Sequence, residues 1–217
     1  MKNEKNAVNE ALQFPLNDKF EADIDALLKG EDTSSPIILA IFDIDNFMRV
    51  NDNFGFAEGD RILIECGRYI ADSLPKDTTI YRIAGDEFGI IFNNGLEKEE
   101  VFLLMEQIRS QFPITLPDGE KLSISIGISA AFEDASRTPE LIRKTSGALY
   151  RAKTNGRNKV ALAREEKMVP KTSHYTSDQL SLLTKLSKRE GVGEAILLRE
   201  ALDMLLKKYD TDFFSHE

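Results

Sequence analysis

The chain is poor in cysteine, in long apolar runs and in positive charge. A single cysteine, Cys66, excludes any internal disulfide, and its place within an apolar helical pattern makes it core filler. The longest uninterrupted apolar run, Pro36 to Phe42, is far short of a membrane span. No apolar signal-peptide core follows Met1-Lys2-Asn3-Glu4-Lys5-Asn6, so the expected location is cytoplasmic, with no membrane partner. A formal charge of −9 opposes non-specific nucleic-acid binding by the chain as a whole and leaves a local patch open. With 217 residues and a hydrophobic fraction of 41%, the chain has material for one ordinary soluble domain and a smaller one.

Acidic residues are placed where they invite chemistry. Tyr81-Arg82-Ile83-Ala84-Gly85-Asp86-Glu87-Phe88-Gly89-Ile90-Ile91-Phe92 reads as a strand, a tight turn with two carboxylates, and a second strand. By itself such a turn is more often a solvated bend than a site. Upstream, Ile37-Ile38-Leu39-Ala40-Ile41-Phe42-Asp43-Ile44-Asp45 is an apolar run ending in carboxylates, the pattern of a central strand buried on both faces with charge at the rim. Two carboxylate pairs at strand ends suit a hard divalent cation that also holds substrate phosphates.

Along the chain, residues 1–35 read as a helical lead-in with a polar tail, from Phe20, Ile24, Leu27 and Leu28 at helical spacing, and Gly30 to Pro36 as a loop. Asn46 to Glu58 has no clean apolar period and is expected to wrap the site as a loop. A helix is predicted from about Asp60 to Leu74, on the stripe Ile62, Leu63, Cys66, Ile70 and Leu74. Val101, Leu104, Met105, Ile108 and Phe112 mark the next helix. Leu122 to Ile128 alternates strictly and reads as a half-covered strand. Thr138-Pro139-Glu140 reads as a helix start with a capping hydroxyl, that helix runs to about Lys153, and Lys159 to Ala163 is a last edge strand. These elements make an α/β (α+β) fold, an antiparallel-centred sheet backed by helices, plus a small C-terminal helical domain.

The Ala84-Gly85-Asp86-Glu87-Phe88 turn resembles the GGDEF family of diguanylate cyclases. So do Asp43-Ile44-Asp45-Asn46-Phe47, Asn51-Asp52-Asn53-Phe54-Gly55, Gly59-Asp60, Ser125-Ile126-Gly127 and Tyr150-Arg151-Ala152-Lys153-Thr154-Asn155-Gly156-Arg157-Asn158. The resemblance covers residues 36–163 and implies the palm-like arrangement of nucleotide cyclases and polymerases. It implies condensation of two GTP molecules into cyclic di-GMP by a homodimer, with Mg²⁺ or Mn²⁺ held by Asp43, Asp86 and the main-chain carbonyl of Ile44. Asp86 and Glu87 take the catalytic positions, Glu87 either as ligand of a second metal or as acceptor of the hydroxyl proton. Asn51 and Asp60 match positions that read guanine, Lys153 and Arg157 positions that contact the polyphosphate, and Phe47 and Gly85 belong to the substrate-binding set. For Asp60 the bland reading is a cap on its own helix. Asp45 stays open between a supporting role and a solvated strand end.

Several positions depart from the family pattern. Ala84 replaces a glycine, Met48 stands where a lysine is usual, and Phe56 replaces a histidine. No Arg-x-x-Asp occupies Pro75 to Thr78, so product inhibition at that site is not expected. These departures keep a second function open, a catalytically weak domain that senses GTP or cyclic di-GMP. Arg164 to Pro170 reads as a linker (164–170), followed over 171–217 by helices from Ser177 to Glu190, stopped by Gly191, and from about Gly193 to Tyr209. Thr176-x-x-Gln179 fits a capping box. Leu180, Leu183 and Leu186 on the first helix, with Leu198, Ala201, Leu202 and Leu205 on the second, form apolar faces. This tail resembles the ribbon-helix-helix family, dimers that place a two-stranded ribbon in the DNA major groove. DNA binding and plain dimerisation both stay open.

Overall fold

In the computed structural model, which describes residues 4–30, 35–164, 171–190 and 193–213, the apolar run before Asp43 forms the central strand. The lead-in is two helices, α1 (Glu4–Leu12) and α2 (Asn17–Lys29), rather than one with a polar tail. Left-handed Gln13 (φ 55) and Pro15, which has no N–H to donate, separate them. Val8 and Leu12 recur four residues apart and are buried, so α1 is amphipathic. There follow β1 (Ile38–Ile44), α3 (Phe47–Phe54), α4 (Phe56–Ser73), β2 (Thr79–Ala84), β3 (Glu87–Phe92), α5 (Lys98–Ser110), β4 (Ile124–Ala130), α6 (Thr138–Thr154) and β5 (Val160–Leu162). Among the described residues no helix is long and apolar enough to cross a membrane.

The sheet order is β2-β3-β1-β4-β5, so β1 is central and antiparallel to both neighbours, and β5 alone runs parallel, against β4. Ile38, Ala40, Phe42 and Ile44 face one core together with Val8, Ile62, Cys66 and Met105; Leu39 and Ile41 face another with Phe20, Ile24, Leu141 and Leu149. The strand is thus buried on both faces, as its continuous apolar run implies. Phe42 and Phe88 stack across β1 and β3 at 5.0 Å between centroids, one residue before Asp43 and one after Glu87. Such a pair is worth about 0.5–1.5 kcal/mol beyond its buried area, and it opposes a register slip that would turn both carboxylates to the other face.

Several expectations are corrected. The segment Asn46 to Glu58 is mostly helical, because Phe47, Val50 and Phe54 recur at helical spacing and only Gly55 (φ 84) interrupts them. Consequently α4 begins at Phe56, and Asp60 lies inside it rather than capping it. Strand β4 is buried on both faces, not half-covered. Its serine and glycine face lies under α6: Ser129 and Thr145 hydroxyls share a hydrogen bond of 2.5 Å, and a Cβ on Gly127 would sit 2.2 Å from the Thr145 carbonyl oxygen. Thr138 is the first residue of α6 rather than its cap. Cys66 is fully buried, as core filler should be.

The chain divides into two compact units, residues 1–165 and 166–217. In the second, α7 (Ser177–Glu190) and α8 (Glu194–Phe213) follow a segment at 171–176 without regular structure. Thr176 N–H donates to Gln179 Oε1 at 3.0 Å and Gln179 N–H to Thr176 Oγ1 at 3.2 Å, the reciprocal capping expected. Most of the expected linker, residues 165–170, and the expected helix stop at Gly191 lie outside the described residues.

Candidate active site

The carboxylates meet at one end of the sheet because three strands end there. In the antiparallel register Asp43 of β1 stands beside Glu87 of β3 and Ser125 of β4, and the β2–β3 turn carries Asp86 to the same rim. Gly85 adopts φ +45, which glycine accepts readily. Ala84 is not among the residues with positive φ, so the alanine at the first signature position is compatible with this turn.

Asp43 Oδ2 accepts from Lys153 Nζ at 2.7 Å, while Asp43 Oδ1 is buried without a hydrogen-bond partner. Burial, with the Asp86 and Glu87 carboxylates nearby, pushes the Asp43 carboxyl up to about 8 against the opposing pull of Lys153. Burial likewise raises Asp86, with Glu87 adding to the shift; Lys153, a backbone hydrogen bond and a hydrogen bond from the Asp43 carboxyl in its protonated form oppose it. For Lys153 burial disfavours the charge, but Asp43, Asp86 and Glu87 outweigh it and hold the ammonium above its ordinary value. Excess negative charge in low dielectric, with one carboxylate oxygen lacking a donor, is chemistry that a small divalent cation would relieve. Among the described residues no group of three or more His, Cys, Asp or Glu side chains is arranged to hold an ion unaided. A hard divalent cation held by few protein ligands takes water and substrate oxygens for the rest of its shell.

Asp45 is neither a solvated strand end nor part of that cluster's unsatisfied charge. It is 2% exposed and accepts from Ser123 Oγ at 2.6 Å, Ser125 Oγ at 2.7 Å and the Asn158 N–H at 2.9 Å. It ties the end of β1 to β4 and to the turn before β5. Asp45→Ala should therefore lower the free energy of unfolding by about 2–4 kcal/mol, because three donors lose a charged acceptor. Urea denaturation measures this; a loss within ~0.5 kcal/mol would assign Asp45 the behaviour of a surface residue.

A second cluster lies on the helices. A Cβ built on Gly59 would stand 2.0 Å from Asn51 Oδ1 and 3.2 Å from Phe47 Cζ, so a side chain there would have to displace Asn51 from its place against α4. Met48 and Phe56 are 52% and 67% exposed. Arg157 lies beyond the helix that carries Lys153, because α6 ends at Thr154 and the chain turns through Gly156 (φ 99), Arg157 (φ 57) and Asn158 (φ 47). The Lys153 amine is engaged with Asp43 rather than extended to solvent.

Arg82 is a part that sequence reasoning missed. Its Nη2 donates to the Gly85 carbonyl at 2.9 Å and its Nη1 to Asn9 Oδ1 at 2.7 Å, clamping the acidic turn to α1. Burial lowers its pKa while Asp60 and Asp86 oppose that shift, which sets it between the two clusters. Alternation along β2 marks Arg82 only as one polar strand residue; nothing local announces the partners.

Residues 15–159 match the family described as diguanylate cyclase, GGDEF domain, and residues 168–210 match a ribbon-helix-helix domain. The chain is 34% identical over 134 residues to the probable diguanylate cyclase DgcT of Escherichia coli, an alignment covering 59% of this chain and 29% of that protein. The chain thus spans less than a third of that relative's length. It is similar to the crystal structure of the GGDEF domain of YfiN from Pseudomonas aeruginosa, with 27% identity and TM-score 0.66, covering 71% of this chain and 99% of that one. It is also similar to the active GGEEF domain of a diguanylate cyclase from Vibrio cholerae, with 28% identity and TM-score 0.64, covering 70% and 99%.

Proposed function

Since the chain belongs to the GGDEF family of diguanylate cyclases, we propose that it joins two GTP molecules into cyclic di-GMP with release of pyrophosphate, each copy of a dimer presenting one GTP to the other. The observation that carries this reading is the Asp43, Asp86 and Glu87 cluster at the sheet rim, with its orphaned Asp43 Oδ1. The similarity to a solved GGEEF domain described as active, nearly all of which is covered, supports it.

Members of the family are generally metal-dependent. Asp43, Asp86 and the Ile44 carbonyl would hold Mg²⁺, which when bound supplies charge neutralisation at the phosphates. The 3′-hydroxyl of one GTP attacks the α-phosphorus of the other, and the same step repeated closes the ring. The protein's task is to hold these groups in line. Asn51, packed with Phe47 over Gly59, and Asp60, the next residue of α4, read the guanine edge: a carboxylate accepts from its two donors, whereas adenine offers an acceptor at the equivalent ring nitrogen. Gly85, with no side chain, lets the turn approach the phosphates. Lys153 and Arg157 face the polyphosphate, and Glu87 takes the hydroxyl proton or holds a second cation.

Product identification tests the whole reading: purified protein with GTP and Mg²⁺ should yield cyclic di-GMP, and no product at high protein concentration would sink it. Nucleotide binding without turnover would favour a sensing domain instead, a reading motivated by the exposed Met48 in place of a phosphate-reaching lysine. Base reading has its own test. Asp60→Asn should cut kcat/KM for GTP by about a hundredfold, since the pair of donors on guanine loses its ionic acceptor. Gly59→Ala should act in the same direction by displacing Asn51, and unchanged GTP kinetics in both would remove these residues from the base site.

For the tail, the ribbon-helix-helix match supports pairing with a second copy. In such a pair Ser173 and Tyr175 would face a DNA groove with Lys171 near the backbone. DNA contact is the narrower version of this reading, because 171–176 contributes few basic residues.

A further inference from the structure

The cation already at the acidic cluster belongs to the protein. Lys153, on the last turn of α6, places its ammonium 2.7 Å from Asp43 Oδ2, where it also feels Asp86 and Glu87. The other basic side chain near the turn, Arg82, is held by Asn9 and the Gly85 carbonyl. Lys153 is held differently: its side chain is 30% exposed, its amine pairs with a carboxylate oxygen of Asp43, and it stands at a helix end beside a turn of left-handed residues. A divalent cation that takes Asp43 Oδ1 would lie within a few ångströms of the ammonium on Oδ2, and the two cations repel each other in low dielectric.

We propose that Lys153 is a resident counter-ion of the Asp43, Asp86 and Glu87 cluster, displaced when a divalent cation enters and thereby released to the polyphosphate that accompanies it. The inference rests on the metal and nucleotide reading above and goes beyond it, because it makes one side chain oppose the free metal and favour the metal–nucleotide complex. Without nucleotide, a cation entering at Asp43 Oδ1 meets that repulsion, relieved only if the amine leaves Oδ2 for solvent. With nucleotide, the amine exchanges a carboxylate for phosphate oxygens. The site is then reluctant to load bare metal and accepts it together with substrate, a coupling that is reciprocal by linkage.

The test compares two probes on the full chain, Mn²⁺ alone and Mn²⁺ with an α,β-methylene analogue of GTP, using calorimetry and the spin-resonance signal of free Mn²⁺. Lys153→Met should bind Mn²⁺ alone about tenfold tighter than the wild type and the Mn²⁺–analogue complex about tenfold weaker, effects of opposite sign from one substitution. Lys153→Arg, which retains a cation, should bind Mn²⁺ alone no tighter than the wild type. Lys153→Met binding Mn²⁺ alone as weakly as the wild type, or more weakly, overturns the inference. A measurement on the unaltered protein guards against misfolding of the variant: adding Mg²⁺ alone should shift the side-chain carbon resonance of Lys153, and an unmoved resonance overturns the inference as well. If the wild type takes up neither probe, the reading of the site falls; if it takes up the analogue complex without the opposed pattern, only the counter-ion role falls.

Discussion

Asp86→Asn is expected to abolish cyclic di-GMP formation, by about a thousandfold or more, while leaving the fold intact. Asp43→Asn should behave in the same way. The reasoning is that both side chains crowd like charge at a buried rim, and Asp43 Oδ1 has no donor, so in the metal-free protein ionisation there is a cost rather than a support. The sign follows from linkage. Asp43 rises from 3.8 to about 8 on folding, so the folded state holds its proton more tightly. The stability this contributes is complete below the unfolded value and is lost as the pH climbs through the folded one. The metal-free wild type should therefore fall progressively behind Asp43→Asn in melting temperature from about pH 4 to pH 8. Adding Mg²⁺ together with a non-hydrolysable GTP analogue should raise the melting temperature of the wild type and leave both variants unmoved. Melting curves with and without the ion, run beside a product assay, check each part. If activity and metal-free stability fall together, the rim carboxylates are structural, as Asp45 is.

Removing residues 171–217 is expected to lower specific activity by about a hundredfold at nanomolar protein and by far less at high micromolar protein. The proposed reaction would need two GTP-loaded copies face to face, and the tail has the means to gather them. Leu182 and Met204 are 65% and 68% exposed, and Leu180, Leu202, Leu205 and Leu206 are exposed too. Two helices of this length cannot cover such faces between themselves, so a second copy is the natural cover. A paired tail converts an encounter between cyclase domains into an intramolecular one at millimolar effective concentration. Rates measured across a dilution series in both proteins decide the matter. Activity strictly proportional to concentration in both would separate the tail from catalysis.

The fold was legible to the extent that local rules governed it. The β1 run, the hairpin around Gly85 and the stripes on α4 and α5 could be read because burial on both faces, a tight turn and helical periodicity leave their mark on neighbouring residues. The α3 helix was less legible: its apolar residues are few and interleaved with Asn and Asp, so propensity favoured a loop, and packing over Gly59 prevailed. The half-covered reading of β4 failed for a related reason. Ser125, Gly127 and Ser129 look solvent-facing in sequence, but small residues are what allow α6 to lie directly on the strand.

For the candidate site, the sequence by itself determined which residues carry charge, which strands deliver them to a common rim, and that a glycine stands in the turn. These are consequences of side-chain period and turn chemistry, which act over a few residues. Only the tertiary structure decided what each carboxylate does there. Asp45 takes its hydrogen bonds from Ser123, Ser125 and Asn158, 78, 80 and 113 residues away, and so becomes a fully satisfied tie between strands. Asp43, two residues earlier, receives one lysine from the far end of α6 and keeps an oxygen unpaired. The same side chain at nearly the same place in the chain is thus a support in one case and a stored charge in the other, because in low dielectric the free energy of a carboxylate is set by the donors around it, and folding alone brings those donors in.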